Sequence, residues 1–480
     1  MGHFGIDFGA TNTSAVEVDG RAVQRYGDEL GKPLPSVIIL KQATDEVIGG
    51  RSAWNRRHEL QQLGGFEVVG SIKRCLESDR HWVTAGRSWT PRDIAAEVLK
   101  QLSVRAQQRG VRAGIRKATF SIPVGLSARA RRVLREAAEL AGIEVSSFVV
   151  ESTAAFVRYF TDLRNSRHVA VFDWGGGTLD VSVLRIEGLT IFELAKEGMP
   201  DAGDLMDQEL SLLVHKLIMD ARGDSLAIEE VPTIDRDQLI IRSEMAKCAL
   251  SAEEQVPIGL EHYAGRSAHV DLTRIRAAGV LGPFVDRAIN LLASTVAQAG
   301  LSIDSIDDII VIGGSSQLWL LNERLAADSR FTGRYRLAAS PEWDVAHGAA
   351  ILEQIPGNYE LAETLGLQLC DGTHFELVRR GQALDTTPRS LSLALVEDAR
   401  EANLIIDRLA DLGTAQTNVL HFSVPTLGFL DDEIRVRHEL TRDLTFRVSA
   451  HSRSLGPERT EIREFGNLRF GYHLGNGHAR

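Results

Sequence analysis

Two short stretches carry residues whose types and spacing suit chemistry on a charged ligand. The first, VFDWGGGTLDVSVL from Val171 to Leu184, sets Gly175, Gly176 and Gly177 between Asp173 and Asp180. Glycine costs backbone entropy inside a strand and packs nothing. Three together imply that something approaches the backbone closely. A glycine turn presents consecutive N–H groups as a concave anion site, with no Cβ in the way. The flanking carboxylate would repel a phosphate unless a cation lay between them, so Asp173 implies Mg²⁺ held through its waters. The second stretch, IDFGATNT from Ile6 to Thr13, repeats the grammar with Asp7 ahead of Gly9, Ala10, Thr11 and Asn12. Hydroxyls on Thr11 and Thr178 can donate to phosphate oxygens or accept from an attacking water. Two opposed turns of this kind would clamp the di- or triphosphate of a nucleotide, and phosphoryl transfer needs mostly positioning and charge neutralisation. Alone, either turn is more often an ordinary bend; the pair in matching contexts carries the argument. Gly313, Gly314 and Ser315, directly after the apolar run Asp308–Ile312, could set an adenosine against bare backbone. No G-x-G-x-x-G follows a strand and no Walker A loop occurs, which excludes those two nucleotide folds.

These residues need elements to hold them. Both aspartate–glycine stretches run into alternating segments, 15–19 and 180–184, that read as the second arm of a β-hairpin. Their separation of 166 residues suggests two related α/β halves facing each other across a cleft. Helical spacing predicts helices over 91–109, 239–254 and 279–300, and Ser127 can cap another that runs to Gly142. Residues 118–123 read as a strand. Beyond Glu363 helical periodicity gives way to short alternating runs, 391–396, 404–406, 433–440 and 444–450, with Thr441–Asp443 as a hairpin turn between the last two. The expected organisation is an α/β domain over 1–355, a linker over 356–363, a mostly β domain over 364–465 and a loosely held tail over 466–480.

The bulk figures fit a globular protein: 480 residues, 44% hydrophobic and 25% charged. A formal charge of −11 argues against nucleic acid or an anionic membrane as the main partner. The basic run Arg129–Arg135 reads as the wet face of a helix, with Arg132–Glu136 and Arg135–Glu139 at i,i+4 spacing. Cys75, Cys248 and Cys370 are far apart and in no CxxC spacing, so a zinc site or disulfide framework is not expected and a cytoplasmic location is. No apolar stretch reaches membrane-spanning length by this reading, and no signal sequence is apparent.

The motifs GIDFGATNT, SIKR, FSIPV, VESTAA, VFDWGGGTLDVSVL, SIDDIIVIGGSS and DVAHGAAIL stand in an order and spacing that resemble the DnaK-type 70-kilodalton heat-shock chaperones, within the actin, sugar-kinase and chaperone ATPase superfamily. The resemblance covers 3–355 closely and 364–462 more loosely, chiefly through the run FSVPTLGF to RTEI. It implies an α/β fold: a two-lobed, actin-like (ribonuclease H-like) ATPase domain followed by a small all-β sandwich. It also assigns roles. Gly9, Ala10, Thr11 and Asn12 would form one phosphate loop, and Gly176, Gly177 and Thr178 the other. Asp7 and Asp173 would hold the Mg²⁺ shell, with K⁺ as a second candidate cation. Lys73 would reach the γ-phosphate and the attacking water; by residue type alone it is a surface lysine. Glu151 would orient the water or the metal shell, and equally reads as a carboxylate at a helix start. Thr178 and Asp180 would complete water positioning. Glu244, Lys247 and Ser251, at i, i+3 and i+7, would grip ribose and purine; the alternative is an exposed salt-bridged face. Gly313, Gly314 and Ser315 would line the adenosine, with Gly203 and Asp204 near the ribose or phosphates. Pro123 and Arg131 match the family's relay between nucleotide state and the β domain. ATP, ADP and extended polypeptide clients are the implied ligands, with a J-domain co-chaperone and a nucleotide exchange factor as further partners.

Several residues depart from the family pattern. Ala10 replaces a threonine near the terminal phosphates, Gln317 an arginine that stacks on adenine, and Ser152 a proline beside Glu151; Cys248 occupies another purine-facing position. The segment 357–363 lacks the family's run of leucines and valines. Three readings follow: a lidless DnaK-like ATPase coupled to peptide binding, a nucleotide-responsive scaffold with weak or no chaperone cycle, and a small-molecule kinase of the same superfamily.

Overall fold

A computed structural model describes residues 2–123, 125–163, 165–409, 415–430 and 432–479. The chain divides into two compact units. The first comprises Met1–Val124, Val133–Ile186 and Glu193–Gln354, and the second Gly125–Arg132, Glu187–Phe192 and Ile355–Arg480.

The first unit contains two sheets of matching construction. In one, the strands run Glu144–Val150, Lys117–Ile122, His3–Phe8, Asn12–Asp19 and Ala22–Tyr26. His3–Phe8 is parallel to Lys117–Ile122 and antiparallel to Asn12–Asp19, so the first glycine turn closes a hairpin in which Asp7 faces Ser14. In the other, Tyr335–Leu337, Asp308–Ile312, His168–Trp174, Leu179–Glu187 and Thr190–Met199 follow in order. His168–Trp174 is parallel to Asp308–Ile312 and antiparallel to Leu179–Glu187, with Asp173 opposite Asp180. His168–Trp174 is apolar on both faces (Val169 and Ala170 are fully buried), whereas in His3–Phe8 the buried Phe4, Ile6 and Phe8 share one face and His3, Gly5 and Asp7 the other.

Helix packing fixes these strands. Glu151–Arg158 crosses Asp344–Gln354 so closely that a Cβ on Gly348 would lie 1.7 Å from the Ala154 carbonyl oxygen. Gly5 leaves the same kind of room, 2.2 Å, for the Ala346 carbonyl. Pro91–Gln108 starts at a capping box of Thr90 and Asp93. Ser127 accepts from the Ala130 amide at 3.1 Å, as a cap for Ala128–Leu140. The helix expected at 239–254 spans Thr233–Ala249, and that expected at 279–300 spans Arg274–Gln298. In the latter, Thr273 caps a first turn whose exposed Ile275 and charged residues break the apolar period. By length and composition Arg274–Gln298 is apolar enough to cross a membrane, contrary to the sequence reading. Its Leu281, Val285, Ala288 and Leu292 belong to the largest core, which accounts for that character.

The second unit is built on two four-stranded antiparallel sheets. One runs His374–Val378, Thr364–Gln368, Glu401–Leu409, Ala415–Pro425, and the other Arg389–Ala394, Glu433–Leu440, Phe446–Ser452, Glu461–Phe465. Leu365, Ile406, Val424, Val436, Phe446 and Val448 interdigitate between them as a sandwich core.

Three expectations need correction here. The tail is not loose: Phe470–His473 is a strand paired with Thr190–Phe192 on one side and Asn358–Leu361 on the other. Tyr472 and Leu474 are buried, and Tyr472 meets Tyr359 edge to face at 4.9 Å. The segment 356–363 is likewise part of that ladder, with Leu361 buried and Glu363 ion-paired to Arg408 at 2.6 Å. The Arg129–Arg135 run also differs from a wet face. Arg131 is buried and donates to the carbonyls of Leu126, Leu444 and Gly466, while Arg132 pairs with Glu464 at 2.9 Å. Glu136 faces Arg92 at 3.6 Å.

Candidate functional site

In the first unit the two glycine turns meet. A Cβ on Gly176 would lie 3.0 Å from Thr11 Oγ1, and one on Gly177 3.2 Å from the same oxygen and 3.8 Å from the Ala10 Cβ. None of Gly175, Gly176 and Gly177 takes a positive φ. At Gly176 and Gly177 glycine therefore answers a need for space, not for a left-handed backbone, while a Cβ on Gly175 would make only an ordinary 3.5 Å contact with the Thr178 carbonyl oxygen. Gly9 is closed the same way, its missing Cβ 2.2 Å from the Asn12 carbonyl oxygen. Gly313 differs: its φ is +83°, and a side chain there would strike Asp173 Oδ1 at 2.5 Å.

The helix Gly203–Arg222 begins on the second turn. The amides of Gly203 and Asp204 donate to the carbonyls of Gly175 and Gly176 at 3.3 and 2.8 Å, and Thr11 donates to Asp204 at 3.5 Å. Ser315 Oγ donates to the Gly175 carbonyl at 2.8 Å. So Gly9–Asn12, Gly175–Thr178, Gly203–Asp204 and Gly313–Ser315 form one hydrogen-bonded cradle, in which the first amides of Gly203–Arg222 brace the Gly175 and Gly176 carbonyls.

Carboxylates and a lysine face the cradle. Lys73, on the short helix Ile72–Cys75, reaches Glu151 Oε1 at 2.6 Å, with 12% and 16% of the two side chains exposed. The surface-lysine reading of Lys73 does not hold. Glu151 is the first residue of Glu151–Arg158, so it is both a helix-start carboxylate and the lysine's partner. Ser121 donates to Asp7 Oδ1 at 2.8 Å. Burial, then the Glu151 charge, push Asp7 up to about 6, against the opposing pull of Lys73. Burial, with Glu151, Asp7 and Asp180, holds Asp173 well above the usual carboxylate range. Burial works against the Lys73 charge, but Glu151, Asp7 and Asp180 outweigh it and raise its pKa. Two buried carboxylates made costly first by burial and then by neighbouring negative charge are what a divalent cation beside them would relieve. The donor set at Asp7 and Asp173 therefore fits Mg²⁺ carried mainly by its waters.

On the nucleoside side the residues separate. Lys247 is buried, ion-paired to Asp207 at 2.8 Å and donating to the Gly203 carbonyl at 3.1 Å. It thus braces the cradle from behind. Burial pushes its partner Asp207 up to about 7. Glu244 and Ser251 are half-buried, with Ser251 beyond the end of Thr233–Ala249. Gly314, Cys248 and Gln317 are exposed. Pro123 lines a small polar cavity with Val150, Glu151, Ser152, Asp173 and Asp180. Arg131 belongs to the second unit.

Sequence reasoning missed four side chains here. Arg74 donates to the Gly177 carbonyl at 2.5 Å, and its place beside Lys73 was the available signal. Ser121 sits inside FSIPV. Lys196 pairs with Asp180 at 3.2 Å, and Glu193 accepts from Ser152 at 3.4 Å. Neither of these last two stands in a motif.

The sequence matches the family described as Hsp70 protein over residues 3–373. It is also similar to the Chaperone protein DnaK of Halobacterium salinarum, 25% identical over 404 residues. That alignment takes in 80% of this chain and 62% of the relative, so the chain spans under two thirds of the relative's length. Paired aspartate–glycine hairpins, a shared cradle and a family match across most of the sequence lead to one conclusion: the chain belongs to the Hsp70 family.

Proposed function

We propose that the cleft of the first unit binds ATP and ADP with Mg²⁺ and hydrolyses ATP slowly to ADP and phosphate, as a DnaK-like chaperone ATPase. The observation that carries this reading is the pair of hairpin turns in which Gly9 has no room and Gly176 and Gly177 little room for a Cβ, beside a buried Lys73–Glu151 pair. In this reading amides of Gly9–Asn12 and Gly176–Thr178 would hold the phosphates, the Gly175 amide being taken by the Thr178 carbonyl, and Asp7 and Asp173 would hold the hydrated Mg²⁺. The ion neutralises phosphate charge. Lys73 leaves or shares Glu151 to meet the γ-phosphate oxygens, and Glu151 and Asp180, with Thr178, orient the attacking water. Glu244, Ser251 and Gly313–Ser315 surround the nucleoside. The β-sandwich would bind extended apolar polypeptide; Val396, Leu427, Phe429 and Leu430 are exposed on two of its neighbouring loops. A J-domain protein and an exchange factor are the partners this cycle would use, and three free cysteines suit a cytoplasmic setting.

Single-turnover hydrolysis by wild type beside Lys73→Ala tests the assignment. The variant should lose at least about tenfold, the scale of a lost electrostatic contact to a transferring phosphoryl group. Equal rates would remove Lys73 from the mechanism. A second reading, a nucleotide-responsive scaffold without a chaperone cycle, is favoured by Ala10 and by the connecting strand Asn358–Leu361 being paired within the second unit. Release of a bound fluorescent peptide faster with ATP supports the first reading, and release indifferent to nucleotide supports the second.

A further inference from the structure

The cleft of the first unit holds a second lysine that no family motif marks. Lys196 Nζ lies 3.2 Å from Asp180 Oδ1, with 19% and 28% of the two side chains exposed. Lys196 and Asp180 line one cavity with Glu151 and Asp173. A Cβ on Gly198 would sit 3.0 Å from the same Asp180 oxygen. Lys196 and Gly198 are two apart on Thr190–Met199 and so share a face of that strand. Asp180 is thus gripped by an ammonium and closed in by backbone from one neighbouring strand.

The charges of the site then sort into pairs. Lys73 neutralises Glu151 and Lys196 neutralises Asp180. Asp7 and Asp173 are left, and two negative charges match one divalent cation; Glu193 also feels the Lys196 charge, but burial still pushes it up to about 7. We propose that Lys196 serves as a tethered monovalent cation that positions Asp180 beside Thr178, so that nucleotide binding and hydrolysis here need Mg²⁺ but no soluble monovalent ion. The inference rests on the nucleotide reading of the cleft. Lys196 acts through Asp180 and is a positioning residue. A lysine ammonium is a compact point charge on a flexible stem, and covalent tethering keeps it at a high local concentration that a dissolved ion does not reach.

The test compares wild type, Lys196→Met, which keeps the length and removes the charge, and Lys196→Arg, which keeps the charge. ADP affinity with Mg²⁺, by calorimetry, and single-turnover ATP hydrolysis are measured in KCl and in choline chloride at about 0.1 M ionic strength. Wild type and Lys196→Arg should change less than about twofold between the two salts. Lys196→Met should lose about tenfold in choline chloride and regain most of it in KCl, where K⁺ replaces the lost charge. A wild type that itself needs K⁺ overturns the proposal, and so does a Lys196→Met loss that K⁺ leaves unrepaired or no loss at all. Failure of wild type to bind ADP in either salt would instead sink the nucleotide reading, and this proposal with it.

Discussion

Replacing Gly203 by alanine probes the cradle without touching any charge. A Cβ there would lie 2.8 Å from Ser315 Oγ, 3.2 Å from Gly176 Cα and 3.3 Å from Lys247 Nζ. Non-bonded carbons prefer about 3.5–4.0 Å, and none of the three neighbours is a free end. Ser315 Oγ is bonded to the Gly175 carbonyl, Lys247 is paired with Asp207, and Gly176 Cα is backbone. Losing the Ser315 bond costs about 1 kcal/mol. Alanine for glycine returns up to about 0.8 kcal/mol of helix propensity, less in a first turn. Global stability should therefore shift by under about 1 kcal/mol. The strain falls on the second glycine turn, whose amides must keep their spacing to hold phosphate, and a misplacement near 1 Å can cost about a hundredfold in rate. ADP affinity with Mg²⁺ should fall about tenfold by calorimetry, roughly 1.4 kcal/mol, with the urea midpoint nearly unmoved. Gly279→Ala, on the exposed side of Arg274–Gln298, is the control, since its Cβ meets nothing within 4 Å and it belongs to no part of the cradle. A Gly203→Ala protein that binds ADP as wild type does would show that the cradle does not touch the ligand.

Other outcomes follow from buried groups. Burial pushes Glu193 up to about 7, with the Lys196 charge and the Ser152 hydrogen bond opposing. Between about pH 4.5 and 7 the folded state keeps a proton that the unfolded chain has lost, so stability falls as pH rises through that window and is level above it, by at most about 1.4 kcal/mol per pH unit. Asp7, raised to about 6, and Asp207, raised to about 7, add slopes of the same sign, so Glu193→Gln should reduce but not abolish the stability lost between pH 5 and 8 in urea titrations; a loss equal to that of wild type would refute the Glu193 contribution. Tyr472→Ala should cost about 3 kcal/mol and release amide protection at Asn358–Leu361, because Tyr472 packs on Tyr359 across that ladder. Protection that persists would mean the C-terminal strand does not hold the connecting segment.

The parts of this protein legible in its sequence are those whose cause is local. An aspartate, a bulky residue and a glycine turn followed by alternation define each hairpin within about twenty residues, and Asp308–Ile312 appears with the bounds its apolar run implies. Ser127 could be read as a cap because its partner Ala130 is three residues on. What was hidden depends on distant partners. Lys73 looks like a surface residue until Glu151, 78 positions away, is brought to it. Lys247, at a purine-gripping spacing, also meets Asp207, a residue on another helix. The tail reads as loose because Phe470–His473 is four residues long and glycine-bearing, and it becomes a strand only between two others far from it in sequence. Lys196 and Glu193 stand in no motif, and only the fold brings them to Asp180 and Ser152.

The central claim is that two glycine hairpins grip a magnesium-bridged nucleotide phosphate chain through backbone amides. A crystal structure with ADP and Mg²⁺ tests it most directly. Phosphate density between Gly9–Asn12 and Gly175–Thr178, with the metal's waters against Asp7 and Asp173, is the predicted result. Nucleotide density elsewhere, or none at saturating ADP, would contradict it.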